Sequence, residues 1–487
     1  MNRLDLLKDY LKRIGKLNYL ITVLRWEMDT VAPEKSYDYL IDVSTKYEME
    51  AFDLQTSEEY IKLLEDVINS EEFISISVEE QIYIKKLRDD YYKFKRIPKD
   101  FYEELCTLKS NSVATWVNAK KNNDYESFKP YLMKIIDYTK KSYQYMYPNS
   151  NNLYDEMLND YEFGVTSSII NPLFKRLKEE IIPIVKNLKE KNLKSFDNRL
   201  SDSEFISFAK FLLNYIGFDN SRGALGLYTH GYTTKLNKND VRITFTNKNP
   251  IDSISTIVHE GGHGIFDQSI GDNLTSYDTY DVSCYALHES QSRFFENILG
   301  RRKSFFVPIY DEIKKVLNTD MSLDEFVEYF NNAHRSKIRT EADELTYCLH
   351  IIIRYEIERE IFNGTVNLDE LPSLWNAKYK EYLGVDINTY SEGILQDMHW
   401  SDGSFGYFPS YLLGSIFDGM LLDKINETLG DVDTLLSEGR IKEITKFLND
   451  NIHQYGGAYN ICEVCRRVCG KELDVMPLVN YFKDKYE

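Results

Sequence analysis

Residues 255–268 read STIVHEGGHGIFDQ, and in a chain of 487 residues with only 8 histidines, two of them stand here four apart. On an α-helix, positions i and i+4 project from one face, so His259 and His263 aim two imidazoles at one point while Glu260 sits beside it. This is the HExxH arrangement: two neutral imidazoles hold Zn2+, and the glutamate takes a proton from the water that attacks a carbonyl. The plain alternative is a pair of surface histidines. Gly261, Gly262 and Gly264 each cost such a helix about 1 kcal/mol relative to alanine. Close approach of another backbone, or of substrate, is the physical reason to keep them there.

A catalytic zinc needs a third protein ligand and an open fourth position. Downstream, ALHESQSRFFEN (286–297) is a second helical pattern, and it contains Glu289. His288 and Glu296 are rival ligands, but His288 points about 100° away from Glu289 around a helix. Glu289 is the expected third ligand, with His288 and Gln291 in outer hydrogen-bonding roles.

Asn249-Pro250 is a helix-start signal for the segment carrying the motif. Just before it, DVRITFT (240–246) alternates Val241, Ile243 and Phe245 with Arg242, Thr244 and Thr246, the pattern of a half-buried strand. Elsewhere apolar residues recur every three or four positions, and only 11 prolines and 23 glycines interrupt them, so the fold class is mainly α. Residues 1 to about 145 read as several helices broken near VAPEKS and RIPKD, and 168–216 as two or three more. No repeat or low-complexity linker marks a domain boundary.

The formal net charge is −19, a field that repels nucleic-acid backbones and anionic membrane surfaces. No apolar run approaches the ~18 residues of a membrane span. The start, MNRLDLLKDYLKRIGKLNYL, reads as an amphipathic helix rather than a secretory signal. The expectation is a cytoplasmic protein with no nucleic-acid and no membrane partner. Cys106, Cys284, Cys348, Cys462, Cys465 and Cys469 are scattered and expected to be reduced. In CEVCRRVC, the thiols at 462, 465 and 469 share a helix face that could hold zinc or an iron–sulfur centre. That spacing is also a buried apolar stripe, and with no fourth ligand following, core packing is the expectation.

Two further segments bear on substrate. NNAHRSKIRTEADELTYCLHIIIRYEIE (331–358) reads as one helix with Arg335, Arg339, Asp343, Thr346 and His350 along one face. That stripe is either a solvated surface or a cleft wall, where Arg339, oriented by Asp343, would grip a peptide's terminal carboxylate. GILQDMHWSDGSFGYFPSY (393–411) reads as a loop dense in glycine, aromatic and hydrogen-bonding groups. In it, His399 and Tyr407 are candidate donors, as imidazolium and phenol, to the oxygen on which negative charge develops. Seven of the eight histidines, His230 among them, fall between 230 and 399, which suits one gathered site.

Taken together, these segments resemble the carboxypeptidase Taq family of metallocarboxypeptidases, peptidase family M32. The likeness rests on LRWEMDTVAP (24–33), DVRIT (240–244), HEGGH (259–263), HESQ (288–291), IRTEAD (338–343), GILQDMHW (393–400) and GSFGYFPSYLLG (403–414), in that order. One departure is HGY at 230–232, where the family usually has His-Pro-Phe.

The resemblance implies a fold of the neurolysin and angiotensin-converting-enzyme type: one metallocarboxypeptidase domain over 1–487, with a deep groove and a small β-sheet near the active site. Its helical N-terminal part, about 1–145, would cover the groove, and its catalytic part would span about 200–420. It further implies release of single amino acids from peptide C-termini with broad specificity, one zinc or cobalt ion per chain, and a homodimer. Carried over, His259, His263 and Glu289 hold the metal, and Glu260 is general base and then acid. Arg339 meets the terminal carboxylate, with Arg242, Asp343 and Gln396 as further substrate-binding candidates, and His230, His399 and Tyr407 as polarising groups. The peptide is expected to lie extended along the 240–246 strand, paired like an added strand. Two rivals remain at this stage: an endopeptidase or dipeptidase on a similar scaffold, and a metal-stabilised binding protein without catalysis.

Overall fold

The computed structural model describes residues 2–189, 191, 196, 198–281 and 284–487, and over them the chain is helical but for one small sheet. Helix α1 (Arg3–Thr30) opens the N-terminal part and stops before VAPEKS, while RIPKD separates helices Val78–Lys95 and Lys99–Asn122. Each break falls at a proline, which supplies no N–H to continue a helix. The described residues of 168–216 form two helices, Ser167–Asn187 and α2 (Asp202–Ile216); α2 begins at a capping box between Ser201 and Glu204.

Three strands follow: β1 (Gly223–Leu227), β2 (Tyr232–Asn237) and β3 (Asp240–Phe245). The sheet order is β1-β3-β2, with β1 parallel and β2 antiparallel to β3. The expected strand is there, with Val241, Ile243 and Phe245 buried. Its expected role is not: both edges of β3 are already paired within the sheet, so no peptide can add to it. The outer edge of the sheet on this side belongs to β2.

Helix α3 (Pro250–Ser269) starts as the sequence indicates, with Pro250 in its first turn and Asn249 Oδ1 accepting from Ile251 N at 3.0 Å. It carries HEGGH. Helix α4 (Tyr285–Arg293) carries HESQ and runs into a wide π-helical turn, Phe294–Leu299. Helix α5 is Glu344–Phe362, α6 is Pro409–Leu429 and α7 is Ile461–Cys469.

Glycines set the spacing of these layers. A Cβ on Gly262 would lie 2.7 Å from Gln291 O and Ser292 Cα, so α3 touches α4 backbone to backbone. On the other side, a Cβ on Gly414 would lie 2.7 Å from Ala286 O and 2.9 Å from Ser290 N. Helix α4 is thus clasped between α3 and α6 at a distance only glycine permits. Gly261 and Gly264 admit the side chains of Ile216 and Phe218. One continuous apolar core, from Leu7 to Phe482, packs around this centre.

The helix expected over 331–358 begins only at Glu344, because Asp343 is its N-cap: Asp343 Oδ1 accepts from Leu345 N and Thr346 N at 3.0 Å each. Residues 332–343 approach it irregularly, with a single 3-10 turn at Arg339–Glu341. The five polar residues therefore do not form one helical stripe. Cys462 and Cys465 of α7 are buried, and Cys465 Sγ lies 3.5 Å from Met420 Sδ of α6, in agreement with core packing. Among the described residues, no helix is long and apolar enough to cross a membrane.

Candidate active site

His259 and His263 stand one turn apart on α3, and α4 brings Glu289 against them. His263 Nε2 is 3.4 Å and His259 Nε2 is 3.9 Å from Glu289 Oε2, and one ligand atom from each of the three lies within 4.8 Å of the others. A tetrahedral ion about 2.1 Å from each donor would space them about 3.4 Å apart, so the set fits a metal with small closing movements. Among the described residues, this is the group of histidine, cysteine and acidic side chains that could hold an ion.

The outer partners fit the same use. His259 Nδ1 is bound to Glu296 Oε2 at 2.9 Å, which leaves Nε2 for the site and fixes the ring's direction. Glu296, the rival ligand, thus occupies the far side of His259. Glu289 Oε1 accepts from Arg293 Nε at 2.9 Å, leaving Oε2 toward the histidines. Burial would raise the Glu289 carboxyl, but His259, His263 and Arg293 hold it well below the ordinary carboxylate range. Burial would likewise keep His259 neutral, yet Glu289, Glu296 and Glu260 raise it to about 9. This concentration of negative charge is a field suited to a divalent cation. His288, the other rival, stacks on His263 with centroids 4.4 Å apart and turns its Nε2 to Asp267 Oδ1 at 3.3 Å.

Glu260 is buried beside the histidines, and the hydroxyl of Thr233 on β2 lies 2.7 Å from its Oε2. Two spaces lie near these residues. A cavity of about 500 Å3 is lined by His230, His259, Glu260, Glu289, Arg339 and Tyr411. A groove of about 610 Å3 is lined by Thr233 and Thr234 of β2, by α1 residues including Thr22 and Arg25, and by His288.

Arg339 is buried and built in from several sides. Its Nε and Nη2 donate to Asp397 Oδ1 at 3.0 and 2.9 Å, and its Nη1 donates to Tyr347 OH at 2.9 Å. Rings of Phe408, Tyr411 and Tyr347 surround the guanidinium at 5.4, 5.6 and 5.8 Å. Three of the five N–H groups are engaged, leaving one on each terminal nitrogen. Asp397, rather than the expected Asp343, orients Arg339. Asp397 also binds Arg354, and these two guanidiniums hold its carboxyl far below the usual range despite burial.

Other expected contacts resolve differently. The Gln396 side chain is spent within the protein: Oε1 accepts from Arg339 N and Arg354 Nη2, and Nε2 donates to Lys337 O and Glu392 O. Arg242 makes a bidentate pair with Asp240 and lies 5.8 Å over Trp26, on the α1 face of the sheet. His399 stacks on Tyr407 at 5.4 Å, and burial lowers its imidazole to about 4, so it is neutral at pH 7 and not the expected imidazolium. Burial pushes Tyr407 up to about 12, which keeps its phenol protonated. The Tyr411 hydroxyl donates to the Tyr407 hydroxyl at 3.3 Å. The histidines are not all gathered: His350 is buried against Tyr379, whereas His453, outside the expected set, binds Gln291 Oε1 at 2.7 Å.

Comparison with known proteins identifies the family. Residues 6–486 match the family model described as carboxypeptidase Taq (M32) metallopeptidase. The chain is 37% identical to carboxypeptidase 1 of Bacillus subtilis, across 98% of this chain and 97% of that protein. It is 28% identical to thermostable carboxypeptidase 1 of Thermus thermophilus, across 99% and 97%. A solved structure of Pyrococcus furiosus carboxypeptidase superposes with a TM-score of 0.93 at 26% identity, covering 100% of this chain and 99% of that one. The chain belongs to the carboxypeptidase Taq (M32) family of metallopeptidases, and it is a metallocarboxypeptidase, a peptide hydrolase.

Proposed function

We propose that the protein removes single amino acids, with broad specificity, from free peptide C-termini, using one zinc or cobalt ion held by His259, His263 and Glu289. A divalent ion in that position supplies Lewis acidity to the scissile carbonyl and to a nearby water. Glu260 takes the proton of the attacking water and returns it to the leaving amine. Tyr407, protonated at every physiological pH, and the N–H of neutral His399 are the donors we assign to the carbonyl oxygen, with His230, which lines the cavity, as a further candidate.

The observation that carries this reading is the placement of Arg339 in the same cavity as His259, Glu260 and Glu289. Its two remaining N–H groups form a fork for the terminal carboxylate. Gln396 and Asp343 serve it indirectly, the first by binding its backbone and the second by capping α5. Arg242 serves indirectly too, by fixing the sheet against α1. The body of the peptide then extends through the groove along the outer edge of β2, antiparallel pairing giving affinity without side-chain selection. A homodimer in the cytoplasm is what the family likeness supports.

The test compares one peptide with a free and with an amidated C-terminus. The free form should be cleaved at least 100-fold faster (kcat/KM), and Arg339→Lys, which loses the bidentate fork, should erase most of that difference. Equal cleavage of both forms by the wild type would favour an endopeptidase instead.

A further inference from the structure

The general base is gripped from outside its own helix. Thr233 belongs to β2, where its neighbour Tyr232 reaches the α1 side, its hydroxyl 2.7 Å from Asp29 Oδ2. Side chains alternate along a strand, so Thr233 points the other way, to α3. There its Oγ1 lies 2.7 Å from Glu260 Oε2 and 2.9 Å from the carbonyl oxygen of the same residue.

A hydroxyl carries one proton and two lone pairs. Its one proton goes to the carboxylate, a charge-assisted bond, and the carbonyl oxygen is the weaker, competing acceptor. Held to β2 by this bond, the glutamate side chain loses freedom about its three rotatable bonds. The bond also distinguishes the two carboxylate oxygens. Oε2 is bound by Thr233, while Oε1 faces Gly231, where an added Cβ would come within 3.5 Å of it.

We propose that Thr233 is a positioning residue for catalysis: it anchors Glu260 Oε2 to β2 so that Oε1 is presented to the reacting water. The inference rests on the reading of Glu260 as general base. One consequence is that β2 has two duties: its outer edge receives the peptide backbone and its inner face holds the base, so substrate register and base position are set by one element.

The experiment measures kcat, KM, bound metal and melting temperature for Thr233→Val, Thr233→Ala and Thr233→Ser in the metal-loaded full chain. Valine keeps the shape and removes the hydroxyl; serine keeps the hydroxyl and removes the methyl. The expected result is a kcat lowered about 10- to 100-fold by valine, the scale of a misplaced reacting group. KM should stay within about twofold and metal content should be unchanged, with serine within about threefold of wild type. Alanine gives the same comparison with serine should the valine protein not fold. Valine or alanine at wild-type kcat, serine as slow as valine, or a loss that follows metal content would overturn the proposal. The ratio of variant to wild type is read on whichever peptide is hydrolysed, free or amidated. A failure of the exopeptidase reading therefore appears separately, as equal cleavage of the two peptides by wild type.

Discussion

Gly262 on α3 faces Ser292 on α4 so closely that a methyl group there would sit 2.7 Å from the Ser292 Cα. The candidate metal ligands lie on the two helices that meet at that contact, the histidine pair on α3 and Glu289 on α4. Gly262→Ala is therefore expected to push the helices apart, costing about 1–3 kcal/mol of stability and weakening metal affinity at least tenfold. Thermal unfolding and a competitive metal titration check it. Wild-type affinity with an intact fold would show that the helix spacing does not set the site.

Glu260→Gln should retain bound metal, because its carboxylate is not in the group that could hold the ion, while kcat falls by 100-fold or more if it is the proton acceptor proposed above. Metal analysis and steady-state kinetics on the same preparation separate the two effects. Near-normal turnover in metal-replete protein would remove Glu260 from the mechanism.

Asp397 balances two guanidiniums: Arg339, whose side chain is 9% exposed, and Arg354, whose side chain is 1% exposed. Asp397→Asn removes the shared counter-charge and leaves both cations buried, which typically costs about 3–5 kcal/mol. Urea unfolding should register it as a lower midpoint. A change below about 1 kcal/mol would mean the two arginines are compensated elsewhere.

Glu358 of α5 is fully buried, and burial raises its carboxyl to about 7 in spite of hydrogen bonds from Trp400, Gly406 and Tyr154. Its unfolded value is the ordinary one, about 4.3. The native state therefore holds the proton more tightly, and the group's contribution, complete below the unfolded value, is lost as pH rises through about 7. Glu358→Gln cannot ionise, so its deficit relative to wild type should be largest near pH 5 and shrink toward pH 8, by at most about 1.4 kcal/mol per pH unit. An identical deficit at both pH values would contradict this.

Much of the site was legible because its chemistry is local. The i, i+4 histidines and the Asn249-Pro250 cap follow from spacing along one helix, and Glu289 from a second periodic run. What escaped depends on partners distant in sequence. Arg339 and Asp397 are 58 residues apart, and nothing in either segment says they meet. The apolar spacing of Ile338, Ala342 and Leu345 continues at helical period across a helix start, so the cap at Asp343 was hidden beneath the pattern it interrupts. Strand 240–246 was visible from its alternation, but alternation carries no information about how many neighbours a strand has. The glycines of HEGGH signalled a close approach without naming Ser292 as its partner.

The most direct test is anomalous diffraction at the zinc edge from crystals of zinc-loaded protein. One peak per chain is expected, within bonding distance of His259 Nε2, His263 Nε2 and Glu289 Oε2. A peak on any other set of side chains, with these three apart, would contradict the assignment.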